Sequence, residues 1–273
     1  MYLSDLIPPG AETGAGLALQ HRGRYLFDLA GPRRYASSSG ATFYAGIGGH
    51  LEPGETWLAC AQREAREELG CDVSIRPAAC TAYIARDGAW RLLPVNDEPR
   101  PLCIYELWNP PNAPWNQRGQ GYIYYIVVYE ATLDEAIEPQ PRDVDGILWL
   151  TPALVARTAR ASMTLASLRE SGAQLAMRDP FPEYWTVRPF GTAHALSILW
   201  GRGPEGGCAG GTALAAADFP VPTAPPGSHC PLWAEGKLAG RALRPGILEE
   251  RKPGEGSGTR RNDGPPGFVA SLP

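Results

Sequence analysis

Lysine is nearly missing from this chain. Of 273 residues only Lys237 and Lys252 are lysines, so residues 1–236 can host neither a phosphate-cradling Walker lysine nor a Schiff-base lysine. Cysteine is also sparse. Cys60, Cys71, Cys80, Cys103, Cys208 and Cys230 contain no CxxC pair and follow no regular spacing, which argues against a zinc site or a disulfide framework. Reduced thiols and a cytoplasmic protein are therefore expected. Positive charge is in deficit as well: the formal net charge of −4 gives no general attraction to nucleic acid or to an anionic membrane, and neither is expected as a partner. No apolar run reaches the length of a membrane span. The opening residues MYLSDLIPPGAET lack the basic and apolar regions of a secretory signal, so none is expected.

What is present divides along the chain by turn signals and β-prone runs. Residues 15–30 read as two strands about a turn at His21–Gly23. Phe43–Ile47 reads as a short strand running into Gly48–Gly49, and Asp72–Ile84 and Leu102–Trp108 as further strands. Between Trp108 and Gly121 lies a loop dense in Pro, Asn and Gln. Tyr122–Ala131, rich in Tyr, Ile and Val, is the expected central strand. A last strand at Ile147–Leu150 leads through an N-cap at Thr151 and Pro152 into a helix near Ala153. Strands, one helix, more strands and a final helix suit an α/β fold, a mixed β-sheet sandwiched between α-helices. The domain is expected to span 1–172. Residues 173–200 form an extension that packs on it without assigned elements. Residues 201–273, about a third of them Gly or Pro, are an expected disordered C-terminal tail.

The densest chemistry lies in GHLEPGETWLACAQREAREELGC, Gly49 to Cys71. At about 100° per residue, Glu55 to Leu69 makes an amphipathic helix with Leu58, Ala61, Ala65 and Leu69 on one face. Glu64, Glu67 and Glu68 gather on the opposite one. Three carboxylates within a turn repel one another, and like charges at i,i+4 weaken a helix. A hard cation such as Mg²⁺ or Mn²⁺, which prefers oxygen ligands, would remove that cost.

As a whole the segment resembles the Nudix box. Gly49, Glu55, Arg63–Glu64, Glu67–Glu68 and Gly70 stand at its fixed spacings, followed by an apolar position at Cys71. Seven fixed positions would match by chance somewhere in such a chain on the order of 10⁻⁶ of the time. Ala65 and Cys71 are smaller than the aliphatic residues usual there. The resemblance implies the Nudix fold over about residues 12–172. It also implies a pyrophosphohydrolase that uses Mg²⁺ or Mn²⁺ to cleave a diphosphate linkage, with a nucleoside diphosphate derivative as its small-molecule partner and a homodimer as a common state. Carried onto this chain, Glu67 and Glu68 would be the main metal ligands, with the carbonyl of Gly48 beside them. Glu64 would be a further ligand or would act on the attacking water, held by Arg63. Glu55 would pair with Arg63, while Gly49 and Gly70 shape the two ends of the box.

Outside the box, Glu130, Asp143 and Asp145 are candidates for one more acid that serves as ligand or base. Trp108, Trp115 and Tyr122 flank the long loop and could stack on a base, and Arg118 could meet a phosphate. Trp57 is read as packing and His50 as a loop residue. Two rival readings share the fold: a non-catalytic nucleotide sensor, and an isoprenoid diphosphate isomerase, which would need a cysteine and a glutamate to move protons at carbon. The retained box carboxylates count against the first. No such pair is identifiable for the second.

Overall fold

A computed structural model describes residues 1–31, 40–111 and 118–201. Trp115 and the expected tail beyond Gly201 lie outside the described residues. In chain order the elements are α1 (Leu3–Leu6), β1 (Glu12–His21), β2 (Arg24–Leu29), β3 (Ala41–Ala45), β4 (Gly48–His50), α2 (Trp57–Leu69), β5 (Ser74–Arg76), β6 (Thr81–Ile84), β7 (Trp90–Leu93), β8 (Cys103–Asn109) and β9 (Tyr122–Thr132). They continue with β10 (Gly146–Leu150), α3 (Pro152–Arg160), β11 (Met163–Thr164), α4 (Leu165–Glu170), β12 (Gln174–Met177), β13 (Thr186–Pro189) and α5 (Thr192–Trp200).

The β1–β2 hairpin forms at Arg22–Gly23, where φ is 50° and 72°. Two successive positive values give the tight turn whose twist matches paired strands. The long apolar β9 lies in the middle of the sheet, parallel to β1 and antiparallel to β8. The main path of the sheet runs β11-β13-β3-β2-β1-β9-β8-β6-β7. Both faces of this mixed sheet are covered, so β9 can be apolar on consecutive residues. Ile126 and Val128 face one core together with Leu154, Val155, Leu168, Ala195 and Leu196 of α3, α4 and α5. Val127, Tyr129 and Ala131 face the other, where Cys60, Ala61, Ala65 and Leu69 of α2 are buried.

Two short strands and a helix come from residues beyond 172. β12 pairs antiparallel with β10, β13 runs parallel to β3 with Thr186 opposite Ala41, and α5 lies on the face of α3. The strand expected at Phe43–Ile47 is β3, which begins and ends two residues earlier at Ala41–Ala45, and Gly48–His50 beyond it form the separate strand β4. The expected strand Asp72–Ile84 divides into β5 and β6.

One expectation about the cysteines is corrected. Cys60 and Cys103 are free and buried and Cys71 is free and half-buried, but Cys80 is disulfide-bonded. Cys80 sits on a partly exposed bend between β5 and β6, where a sulfur can be reached, whereas Cys60 and Cys103 are enclosed by packing. Among the described residues no helix is long and apolar enough to cross a membrane.

Candidate active site

The acidic helix begins two residues later than its periodicity suggests, and the reason lies in the turn before it. Glu52-Pro53-Gly54-Glu55 closes with Glu55 N–H donating to Glu52 O at 3.0 Å, and Gly54 has φ 80°. Proline at the second position and glycine at the third are what a type II turn requires. The Glu55 carboxylate caps this turn by accepting from Glu52 N at 3.0 Å. Thr56 then acts as N-cap, its hydroxyl accepting from Ala59 N at 3.2 Å, so α2 proper starts at Trp57. At the far end Gly70 adopts φ 71° and its N–H reaches Arg66 O at 3.0 Å. Trp57 is packing: its indole N–H donates to Thr13 Oγ1 of β1 at 2.8 Å.

Arg63 ties the acids together. Nε donates to Glu55 Oε1 at 2.9 Å and one terminal nitrogen to Glu55 Oε2 at 3.1 Å, a two-pronged pair. That nitrogen also reaches His50 O at 3.0 Å. The other terminal nitrogen donates to Glu64 Oε1 at 2.8 Å and Glu67 Oε2 at 3.0 Å. The hydrogen bonds from Arg63 hold the Glu55 carboxyl below the ordinary range. Glu64 moves the other way: burial raises its pKa, with the charges of Glu67 and Glu55 adding to the rise and Arg63 opposing it. The guanidinium itself is stabilised in its charged form, mainly by Glu55.

β4 brings the backbone to this helix. It pairs with β1 with Gly48 opposite Gly16, Gly49 opposite Ala15 and His50 opposite Gly14. A Cβ at Gly48 would lie 2.7 Å from Gly16 Cα, and one at Gly49 would lie 2.6 Å from the carboxyl carbon of Glu64. Glycine is thus required by close approach at both positions. Freed of side chains, Gly48 presents its N–H to Glu68 Oε2 at 3.2 Å. Glu68 is only 9% exposed.

Three carboxylates (Glu55, Glu64 and Glu67) therefore bind one guanidinium and Glu68 is held on Gly48 N–H, and with Glu52 and Arg66 the strand–turn–helix carries a formal net charge of −3. Among the described residues no three acidic, histidine or cysteine side chains already converge as a set of ligands. Arg63 holds one oxygen each of Glu64 and Glu67, and Gly48 N holds one of Glu68. Glu64 and Glu67 each keep a second oxygen that Arg63 does not engage. All-oxygen donors, excess negative charge and a buried carboxylate that burial pushes toward its neutral form fit a hard divalent cation.

The outlying candidates separate. Alternation along β9 places Glu130 on the α5 face, away from the acids of α2, and opposite Arg76 in the pairing with β5. Asp145 is buried, with Oδ2 accepting from Gly31 N at 2.9 Å, and so closes the chain just past β2. Asp143 is exposed, on the same connection between β9 and β10 as Asp145, and that connection is joined to α2 through Arg142 N donating to Glu68 O at 3.0 Å. Trp108 is 43% exposed, with Arg86 6.0 Å from its ring. Arg118 pairs with Glu12 at the start of β1 and lies 4.7 Å from the ring of Tyr122.

Tyr124 was not anticipated. Its hydroxyl donates to Gly49 O at 3.3 Å and its ring stands 4.7 Å from that of His50, so it buttresses the loop from the other side. Nothing in YIYYIVVY separates this tyrosine from its neighbours before the register is known. Cys60, the cysteine beside the acids, has its thiol pushed up to about 11 by burial and directed at the carbonyls of His50 (3.4 Å) and Gly49 (3.6 Å). That is a packing role within the loop.

A family model described as the NUDIX domain matches residues 32–168. Among solved structures, a MutT NUDIX hydrolase from Burkholderia pseudomallei is 16% identical, with 69% of this chain and 98% of that one covered and a TM-score of 0.34. An Ap4A hydrolase from C. elegans, in a binary complex, is 16% identical over 55% of this chain and 88% of that one, with a TM-score of 0.35. A NUDIX-family hydrolase from Clostridium perfringens is 14% identical over 54% and 84%, with a TM-score of 0.32. No curated protein matches the chain.

Proposed function

The chain belongs to the NUDIX domain family, and on that footing we propose that α2 and β4 form the active site of a divalent-metal-dependent enzyme. It would cleave the diphosphate linkage of a nucleoside diphosphate derivative. Hydrolases of this family generally act on such compounds and generally use divalent ions. The observation that carries the reading is the arrangement around Arg63. One guanidinium orients Glu55, Glu64 and Glu67, while Glu68 is anchored separately on Gly48 N–H.

Glu67 and Glu68 would hold the ion, with the Gly48 carbonyl and Glu64 beside them. When bound, such an ion neutralises charge on phosphate oxygens and lowers the pKa of a water. The chain's own residues do the rest. Glu55 fixes Arg63, and Arg63 fixes the direction of Glu64, so that this carboxylate is aimed before substrate arrives. Gly49 leaves room for Glu64 where any side chain would collide with it. Because burial favours the neutral form of Glu64, its charge is sustained by Arg63 and by any cation nearby, and it can accept a proton from a water held against it.

The test is phosphate release, coupled through a phosphatase, from nucleoside triphosphates, ADP-ribose, dinucleoside polyphosphates, NADH and nucleotide sugars, with and without Mg²⁺. Turnover of one class that needs the metal is the expected result and names the substrate group. Binding of metal and nucleotide without turnover of any compound would replace hydrolysis with the sensor reading.

A further inference from the structure

Between the acidic helix and the opposite face of the sheet stands a segment with no side chains to separate the layers. Gly48 lies on Gly16 with backbone in contact. On the other side of β1, the first residue of α5 fills the space that glycine leaves. A Cβ on Gly16 would collide with Thr192 Oγ1 and lie 3.2 Å from Thr192 Cβ. A Cβ on Gly46, two residues before Gly48, would lie 2.6 Å from both Cβ and Cγ2 of the same threonine. Thr192 is 4% exposed. One side chain thus occupies a notch formed by two glycines, one in β1 and one just ahead of β4.

The wedge is itself firmly placed. Phe190 N–H donates to Tyr44 O at 2.9 Å, and Phe190 packs against Phe43 with ring centroids 5.3 Å apart. One turn further on, His194 Nδ1 meets the Tyr105 hydroxyl at 2.8 Å. Ala193, Ala195 and Leu196 are fully buried. The wedge itself, Phe190 to Leu196, lies beyond residue 168, where the family match ends.

We infer that Thr192 is a positioning residue for the metal site: by its shape it holds the Gly16–Gly48 backbone pair in place, and through Gly48 it holds Glu68. The inference rests on the proposed hydrolase reading. The chain of contacts runs from Thr192 to Gly16, from Gly16 to Gly48, and from Gly48 N–H to Glu68 Oε2. It acts through the main chain, so it depends on volume at position 192 and not on the hydroxyl.

The test uses the full-length protein with Thr192→Ala, Thr192→Val and Thr192→Ser. Two readouts are taken where circular dichroism shows each variant folded: Mn²⁺ affinity by electron paramagnetic resonance, and exchange of the Gly48 amide by NMR in metal-free protein. Residues that support a metal ligand typically change affinity by 10- to 100-fold, and for Thr192→Ala we expect about tenfold weaker Mn²⁺ binding and faster Gly48 exchange. Thr192→Val, which keeps the volume, should match wild type in both, with Thr192→Ser between. Unchanged Mn²⁺ affinity and Gly48 exchange in Thr192→Ala would overturn the inference. So would a Thr192→Val as impaired as the alanine, which would assign the effect to the hydroxyl. If Thr192→Ala does not fold, the valine and serine pair decides between the same two outcomes. Glu68→Gln serves as the control: Mn²⁺ affinity unmoved by that change would instead reject the metal-site reading beneath.

Discussion

Replacing Arg63 with methionine keeps most of the side-chain volume and removes the cation that binds Glu55, Glu64 and Glu67. The cost can be worked from exposure. Glu55 and Glu64 each have side chains 13% exposed and Arg63 is 22% exposed, so the two pairs are largely shielded from water. Removing one partner of a well-buried pair costs about 3–5 kcal/mol, because the remaining charge stays buried. With some solvent access, about 2–4 kcal/mol is the fitting range for Glu55 and Glu64 together. Glu67 is half exposed and adds only about 0.5 kcal/mol. A total near 3.5 kcal/mol, at about 2–4 °C per kcal/mol for a domain of this size, lowers Tm by about 7–14 °C. The assay is urea unfolding in EDTA, combined with Glu55→Gln and the double variant in a thermodynamic cycle. Coupling between positions 55 and 63 should exceed about 1.5 kcal/mol. Arg63→Lys should recover only part of it, since an ammonium cannot engage both Glu55 oxygens and still reach Glu64 and Glu67. A stability of Arg63→Met within about 0.5 kcal/mol of wild type, or negligible coupling, would refute this account of the network.

Glu68→Gln should leave unfolding nearly unchanged but lower turnover by at least about 10²; near-normal turnover would remove Glu68 from the ligand set. His21 is buried, its Nδ1 accepts from Trp149 Nε1 at 3.3 Å, and its pKa is lowered, chiefly by burial. Below the unfolded value of about 6.5 the unfolded chain binds a proton that the folded ring resists. Stability should therefore fall as pH drops from about 7.5 to 5.5, and His21→Gln should flatten that slope. Parallel Tm profiles for the two proteins would contradict it. A stop codon after Ala173 removes β12, β13 and the buried face of α5. The product should be insoluble or molten by near-ultraviolet circular dichroism, and a cooperative, soluble fragment would show that these elements are dispensable.

The acidic site was legible because its residues are close in sequence and one helix fixes their relation. Spacing alone puts Glu64, Glu67 and Glu68 on a face, and the pairing of Arg63 with Glu55 follows once a turn returns the chain to the helix. The boundary at Trp57 could also be read in principle, from Pro53-Gly54 and the capping potential of Thr56. The sheet was legible where strands are long and apolar. It was not where strands are short: β3 stops at Ala45 ahead of Gly46, and β13 gains its strand character by lying between β11 and β3, the latter far away in sequence. Glu130 shows the same limit from another side. Its type suited a ligand, but which face of β9 it occupies depends on the order of the strands.

These limits have a common origin in how the site is built. Its charged groups belong to one helix and the turn just before it, so sequence spacing specifies them. Their alignment with β4 depends on glycines at Gly14, Gly16, Gly46, Gly48 and Gly49, which let layers meet without side chains between them. A glycine carries no information about what fills the space beside it. Tyr124 approaches Gly14 and Gly49 from one strand, and Thr192 approaches Gly16 and Gly46 from a helix at the end of the described chain. The chemistry is thus encoded locally, whereas its tolerances are set by residues whose only qualification is shape. In the first group, substitution of Glu67 or Glu68 should alter charge and turnover with little effect on the fold, whereas Arg63 and Glu55 also carry stability through their pairing. Substitutions in the second should shift backbone positions and weaken the site while every acidic residue is still present.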